Sequence, residues 1–113
     1  MRADVDRLLD ILEAIDAIQK EATSRAHFDT NKMVRVWCLH HIVVIGEAAA
    51  RVSEALRARC PEVPWRRVVA MRNAVVHGHF QVDWGEVWNV VERELEPLRK
   101  SLVEVLASEK DEA

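Results

Sequence analysis

The segment MVRVWCLHHIVVIGEAAARVSEAL, residues 33–56, indicates a long helix in the middle of this 113-residue chain. Mostly apolar side chains recur in it at spacings of three or four, as on one face of an amphipathic helix. These positions are Met33, Trp37, His41, Val44, Ala48, Val52 and Ala55. Because Asp29-Thr30-Asn31 supplies N-cap side chains, we predict one helix from there to Leu56. The stretch GEAAA, residues 46–50, has little side-chain bulk, so we expect another helix to approach closely there.

Two further helices are predicted on either side of this segment. An apolar stripe that runs from Leu8 to Ile18 predicts a first helix from about Asp4 to Ser24. Pro61 and Pro64 interrupt the long helix, and Pro64 suits the first turn of a short helix that reaches about Val76. Gly78 then follows as a stop signal.

A fourth helix is predicted to begin at the sequence DWGE, residues 83–86, which has the form of a capping box. In that motif Asp83 accepts from first-turn amides and Glu86 reaches back. Pro97 should bend this helix, and the tail from about residue 107 should fray. We therefore predict an all-α, up-and-down bundle of four main helices in one domain, residues 1–113, with no strand-like alternation.

Charge and composition exclude several classes of protein. The formal net charge is −3, which does not suggest a general nucleic-acid binder but leaves room for a local basic site. The N-terminus lacks the apolar core of a signal peptide, and runs such as Ile42–Ile45 are far too short to span a membrane. We expect a cytoplasmic protein without a membrane partner. Cys38 and Cys60 are isolated in sequence, which is typical of reduced thiols.

The stretch MRNAVVHGHF, residues 71–80, concentrates the polar chemistry of the chain. The planar guanidinium of Arg72 can bind a phosphodiester, and the imidazole of His77 can exchange a proton near neutral pH. With RNA, such a base could activate a 2′-hydroxyl without a metal, while the cation stabilises the developing charge. Residues five apart on a helix differ by roughly 140°, so Arg72 and His77 share a face only if the helix ends near Val76.

A purely structural interpretation of the same residues also stands. An Arg and a His near a helix C-terminus are favoured by the helix dipole, and Asn73 could bond a nearby carbonyl. No metal site is expected, because the close group of Cys38, His40 and His41 cannot supply four ligands from one helix. We expect these two histidines to be core or interface residues and the four tryptophans to serve in packing.

Four motifs, taken together, closely resemble the HepT-like branch of the HEPN superfamily. They are I-G-E-A-A at 45–49, P-x-V-P-W at 61–65, R-N-x-x-x-H at 72–77 and V-D-W-x-x-V-W at 82–88. The resemblance covers essentially the whole chain. It implies a helical bundle and a metal-independent ribonuclease that needs no cofactor and acts on RNA, with no DNA substrate expected.

The resemblance also implies partners. HEPN nucleases generally act as homodimers in which two motifs meet, and exposed apolar residues such as Val36, Trp37 and Trp88 could supply part of that interface. HepT-like members are usually toxins encoded beside an MNT-type nucleotidyltransferase that acts as antitoxin. The competing interpretation is a non-catalytic helical partner that binds such a nucleotidyltransferase.

Roles for four residues follow from the resemblance. Arg72 would bind and stabilise the scissile phosphate, and His77 would serve as general acid or base. Asn73 would orient one of them. Glu47 occupies the acidic position of the GEA segment, where we expect an ion pair with Arg72.

Residue 79 departs from the family pattern, which continues H-x-Y with a tyrosine that the antitoxin adenylylates. Here the residue is His79, and the chain contains no tyrosine. Three explanations stay open: neutralisation by binding alone, modification of another nucleophile, or altered activity. His79 could also add a second titrating group, although an imidazole cannot replace a phenolic hydroxyl.

Overall fold

The computed structural model describes residues 2–77 and 81–112. The first half of the chain forms the helices α1 (Arg2–Glu21), α2 (Arg25–Thr30), α3 (Lys32–Ala50) and α4 (Glu54–Arg59). Helix α5 (Trp65–Val75) leads into two short antiparallel strands, β1 (Val76–His77) and β2 (Gln81–Val82). Three helical elements follow: α6 (Trp84–Asn89), a π-helical segment (Val90–Glu94) and α7 (Leu95–Glu112). The predicted helical bundle is confirmed, and the two short strands are an addition that the sequence did not predict.

Helix α3 is the central helix and packs against both α1 and α5. By length and composition it could cross a membrane, but residues such as Cys38, Ile42 and Ile45 are buried in the core, as in the core helix of a globular protein. A Cβ added at Gly46 would lie 3.3 Å from the Val69 carbonyl oxygen and 3.8 Å from Cβ of Arg72. The predicted close approach at GEAAA is therefore confirmed, and it fixes the helix that carries Arg72 against α3.

The long helix predicted up to Leu56 is wrong in its second part. Helix α3 ends at Ala50, and Ser53 caps a separate helix by accepting a hydrogen bond from the Leu56 amide at 3.2 Å. The Asp4 carboxylate in turn accepts from the amide of Ser53 at 2.9 Å and from its hydroxyl at 2.7 Å. These bonds offer the chain an alternative to a continuous helix, and they anchor α1 to the start of α4.

The connection between α1 and α3 contains a short helix that was not predicted. Ser24 is the N-cap of α2, so the first helix stops at Glu21 rather than at Ser24. Phe28 of α2 is buried and its ring lies 5.2 Å from that of Trp88. Asn31 caps α3 as predicted, by accepting from the Val34 amide at 3.1 Å. Trp88 is therefore a packing residue, and the suggestion that it belongs to an exposed interface is wrong.

The capping box at residues 83–86 is only half formed. Asp83 Oδ1 accepts from the Glu86 amide at 3.0 Å, as predicted. The Glu86 carboxylate does not reach back; its Oε1 accepts instead from Arg67 Nη2 at 3.0 Å. Arg67 also donates to Glu94, and these hydrogen bonds raise its pKa although burial opposes them. The network joins α5 to α6 and to the π-helical segment.

The C-terminal helix changes its hydrogen bonding before Pro97. The Leu95 amide donates to the Val90 carbonyl, five residues back, which makes Val90–Glu94 a π-helical turn. Pro97 has no backbone N–H, so the helical hydrogen bond from residue 97 to the Arg93 carbonyl cannot form. The π-helical turn therefore lies where the regular hydrogen bonding is interrupted in any case. The bend at Pro97 stays a prediction, as does fraying of the tail, which is helical up to Glu112.

Candidate active site

The end of α5 releases His77 from the helix. Val75 is the last helical residue, and Val76 is extended, with φ −119° and ψ 116°. Val76 pairs with Val82 and His77 pairs with Gln81 in the short hairpin. The expectation that the helix ends near Val76 is confirmed, so the angle of roughly 140° between helical residues five apart does not apply to Arg72 and His77.

Arg72 and Asn73 lie exposed in the last turn of α5. Arg72 Nη1 donates to Asn73 Oδ1 at 3.2 Å. Within the described part of the chain, the Arg72 guanidinium has no carboxylate partner, so most of its five donors remain available to a ligand. A planar cation of this kind is suited to a phosphate.

His77 lies beside a carboxylate that is itself held in place. Its Nε2 is 3.6 Å from Asp83 Oδ2, and the side chains are 58% and 47% exposed. The other carboxylate oxygen of Asp83, Oδ1, caps α6. The backbone amide of Asp83 donates to the Val75 carbonyl at 2.8 Å. Active-site hydrogen bonds are often long without substrate, so the imidazole and carboxylate are placed to pair during a reaction.

His77 and Asp83 line an open depression of about 570 Å³. The other lining residues are Gln81, Val82 and Trp84. The hairpin supplies Gln81 and Val82, while Trp84 is the first residue of α6. A candidate proton-transfer group thus shares a concave surface with an aromatic ring and a side-chain amide.

Glu47, which was expected to hold Arg72, is not paired with it in the described part of the chain. It is exposed on α3, next to Gly46. It borders a separate shallow depression with Arg7 and Arg51. His79 lies outside the described residues.

Sequence reasoning missed two neighbours of His77. Asp83 was assigned only a capping role, and Trp84 only a packing role. The hairpin brings both beside the histidine, and strands of two residues are too short to leave an alternating pattern. Their proximity could have been suspected only because His77 and the capping residue Asp83 lie close together in the sequence.

Among the described residues, His40, His41 and Cys38 form no comparable site. His41 Nδ1 lies 2.8 Å from the Trp37 carbonyl oxygen, and the His40 and His41 rings are in contact. In residues 2–77 and 81–112, no three His, Cys, Asp or Glu side chains converge as metal ligands. Burial raises the pKa of the Cys38 thiol to about 11, which suits a packing residue.

Comparison with known proteins gives the family of the chain. The model of the Ribonuclease HepT-like family matches residues 8–105. The chain belongs to the HepT-like ribonuclease family. The matched region extends from α1 into α7 and contains both Arg72 and His77.

Two relatives illustrate the extent of the similarity. One, from Methanocaldococcus jannaschii, is named provisionally as an RNase and is 32% identical, with 84% of this chain and 89% of the relative covered. Another, from Thermococcus cleftensis, is named "Probable ribonuclease HepT" and is 31% identical, with 87% and 91% covered. No solved structure gives a significant match to the chain.

Proposed function

We propose that this protein is the endoribonuclease toxin of a HEPN/MNT toxin–antitoxin pair, that it acts in the cytoplasm and that it cleaves cellular RNA without a metal ion. The observation that carries the proposal is the arrangement at the end of α5. Arg72 is exposed in the last turn of α5, and its guanidinium has no carboxylate partner in the described chain. His77 follows just after the helix end, exposed and beside Asp83. Membership of the HepT-like ribonuclease family supports phosphodiester cleavage by this pair.

The proposed reaction uses the RNA as its own nucleophile. His77 accepts the proton of a 2′-hydroxyl, and the 2′-oxygen attacks the adjacent phosphorus. The bond from phosphorus to the 5′-oxygen breaks, and the leaving oxygen takes up a proton. Arg72 stabilises the negative charge on the phosphate oxygens in the transition state, and Asn73 holds the guanidinium. The products are a 2′,3′-cyclic phosphate and a 5′-hydroxyl.

We further propose that the active form is a homodimer in which two copies of the motif meet, so that the second copy provides the other proton-transfer group. An exposed apolar surface on α3 supports self-association. Met33, Val36 and Trp37 lie there with 75%, 44% and 43% of their surfaces exposed. Clusters of this kind on a small protein are typical of interaction sites.

The proposed antitoxin is an MNT-type nucleotidyltransferase. Adenylylation of a tyrosine is not available here, because the chain has none. Direct binding over the Arg72 and His77 surface would block RNA without any modification. The same departure at His79 favours the second candidate function, a non-catalytic partner of such a nucleotidyltransferase.

A cleavage assay in EDTA tests the proposal. Purified protein is incubated with cellular RNA, and His77→Ala is compared with His27→Ala, a histidine on α2. We expect cleavage by the wild type and by His27→Ala, and none by His77→Ala with unchanged helical content. Folded wild-type protein that leaves RNA intact would instead support the non-catalytic binding partner.

A further inference from the structure

Trp84 places an aromatic ring in the same depression as His77. The residue is partly buried, and it follows the Asp83 cap as the first residue of α6. It was expected to serve only in packing. Its ring contacts the edge of the core, but it also lines the open space beside the histidine.

The guanidinium of Arg35, on α3, lies over the Trp84 ring. The guanidinium carbon lies 5.8 Å from the centroid of the Trp84 ring, within the range of a cation–π interaction. Its Nη1 donates to the carbonyls of Phe28 at 3.1 Å and Asp29 at 2.7 Å, near the end of α2. Since these bonds fix the cation, they limit the orientations that the indole can adopt before any ligand binds.

Two side chains that line the depression, Trp84 and Gln81, carry hydrogen-bond donors with no partner in the described chain. The indole N–H groups of Trp37 and Trp65 donate to the carbonyls of Ala17 and Cys60. The corresponding group of Trp84 has no hydrogen-bond acceptor among residues 2–77 and 81–112, and the side-chain amide of the exposed Gln81 has no partner there either. A flat aromatic surface flanked by an amide is the combination that binds an unpaired nucleobase.

We propose that this depression is a base-binding subsite in which one nucleobase beside the scissile phosphate stacks on Trp84 and is bonded at its edge by Gln81. The identity of the neighbouring phosphate rests on the proposed ribonuclease function. A base inside a duplex is stacked between its neighbours and cannot enter the depression. The subsite therefore selects single-stranded RNA.

Binding of a non-cleavable RNA tests the subsite without any turnover. The probe is a fluorescein-labelled, single-stranded hexanucleotide of mixed sequence with 2′-O-methyl groups, which prevent attack by the 2′-oxygen. We expect Trp84→Leu to bind it about tenfold more weakly than the wild type, within the range found for stacking on an aromatic ring. Trp84→Phe keeps a ring and should bind within a few-fold of the wild type. The same sequence in a duplex should bind weakly to all three proteins.

The indole N–H signals provide a second readout that does not need the leucine variant to fold. The chain has four tryptophans, so four signals are expected in the nitrogen–proton spectrum. Addition of the hexanucleotide should shift the Trp84 signal and leave that of Trp65 in place, because Trp65 is buried and bonded to Cys60. An oligomer of abasic nucleotides should not produce the shift.

Two results would overturn the subsite: equal binding by the wild type and a folded Trp84→Leu, or an unmoved Trp84 signal at saturating RNA. Failure of the proposed function looks different. In that case the Trp84-dependent binding persists, but the wild type does not cleave an unmodified RNA of the same sequence. Conversely, cleavage by the wild type with normal cleavage by Trp84→Leu would retain the ribonuclease and reject the subsite.

Discussion

The two oxygens of the Asp83 carboxylate have different partners, one the Glu86 amide and the other the His77 ring. Asp83→Asn separates these contacts, because asparagine is an equally good N-cap but carries no charge. We expect its helical content and thermal midpoint to match the wild type. The cleavage rate should fall about tenfold, a part of the 10²- to 10⁴-fold contribution of general acid–base catalysis.

The kinetic constants test whether Asp83 acts on the chemical step. We expect Asp83→Asn to lower kcat with little change in KM, which a general structural defect would not cause. Asp83→Glu restores the charge and should recover part of the rate. An unchanged kcat in Asp83→Asn would show that the carboxylate serves only to cap α6.

Asp4 gives acid sensitivity to the fold. Burial alone would raise the pKa of this carboxyl, but hydrogen bonds from the Ser53 hydroxyl and amide outweigh it and lower the pKa below 3.8. Because the folded-state pKa is the lower one, the stabilisation is present above the unfolded value and is lost as the pH falls through the folded value.

Replacement of Asp4 should therefore matter most near neutral pH. We expect Asp4→Asn to lower the free energy of unfolding at pH 7 by about 1.5–3 kcal/mol, as for hydrogen bonds to a charged group. The difference from the wild type should shrink below pH 3.8. Urea denaturation at pH 7 and below pH 3.8 measures the free energy of unfolding of both proteins. The control is Asp6→Asn, which changes an exposed aspartate of the same helix. A constant difference would refute the linkage.

At the scale of the elements, Gly46 sets the distance between α3 and α5. A Cβ at this position would lie 3.3 Å from the Val69 carbonyl oxygen, which is a tight contact with backbone. We expect Gly46→Val to lower the free energy of unfolding by about 1–3 kcal/mol through overpacking. Ala50→Val, at an exposed position of the same helix, should have little effect in the same urea titration. Equal effects of the two substitutions would contradict close packing at Gly46.

The sequence predicts elements well where the determinants are local. Asn31 caps α3 and the small residues of GEAAA accept α5, because cap chemistry and side-chain bulk can be read from neighbouring residues. The break at Ser53 was missed because its partner, Asp4, lies 49 residues away. Glu86 was misassigned for the same reason, since Arg67 comes from another helix.

In the candidate site, too, some residues can be predicted from the local sequence and others cannot. Arg72, Asn73 and His77 stand out in the sequence as a compact polar motif, and the resemblance supplied their roles. Asp83 and Trp84 lie beside the histidine only because residues 76–77 pair with residues 81–82. Strands of two residues leave no alternating pattern, so this pairing and its effect on the site could not be predicted from periodicity.

For the whole molecule, the exposed apolar surface of α3 predicts self-association. We expect the wild type to sediment as a dimer and Met33→Glu to shift it toward monomer with loss of cleavage, because a charge would be desolvated at the interface. Val103→Glu, which changes an exposed apolar residue on α7, should leave both properties unchanged. A fully active wild-type monomer would refute a site built from two copies.

Mapping the ends of the RNA products in EDTA tests metal-independent cleavage through His77. We expect 2′,3′-cyclic phosphate and 5′-hydroxyl ends from the wild type, no cleavage at a nucleotide that lacks its 2′-hydroxyl, and no products from His77→Ala. Products with 3′-hydroxyl and 5′-phosphate ends, or cleavage that survives in His77→Ala, would contradict it.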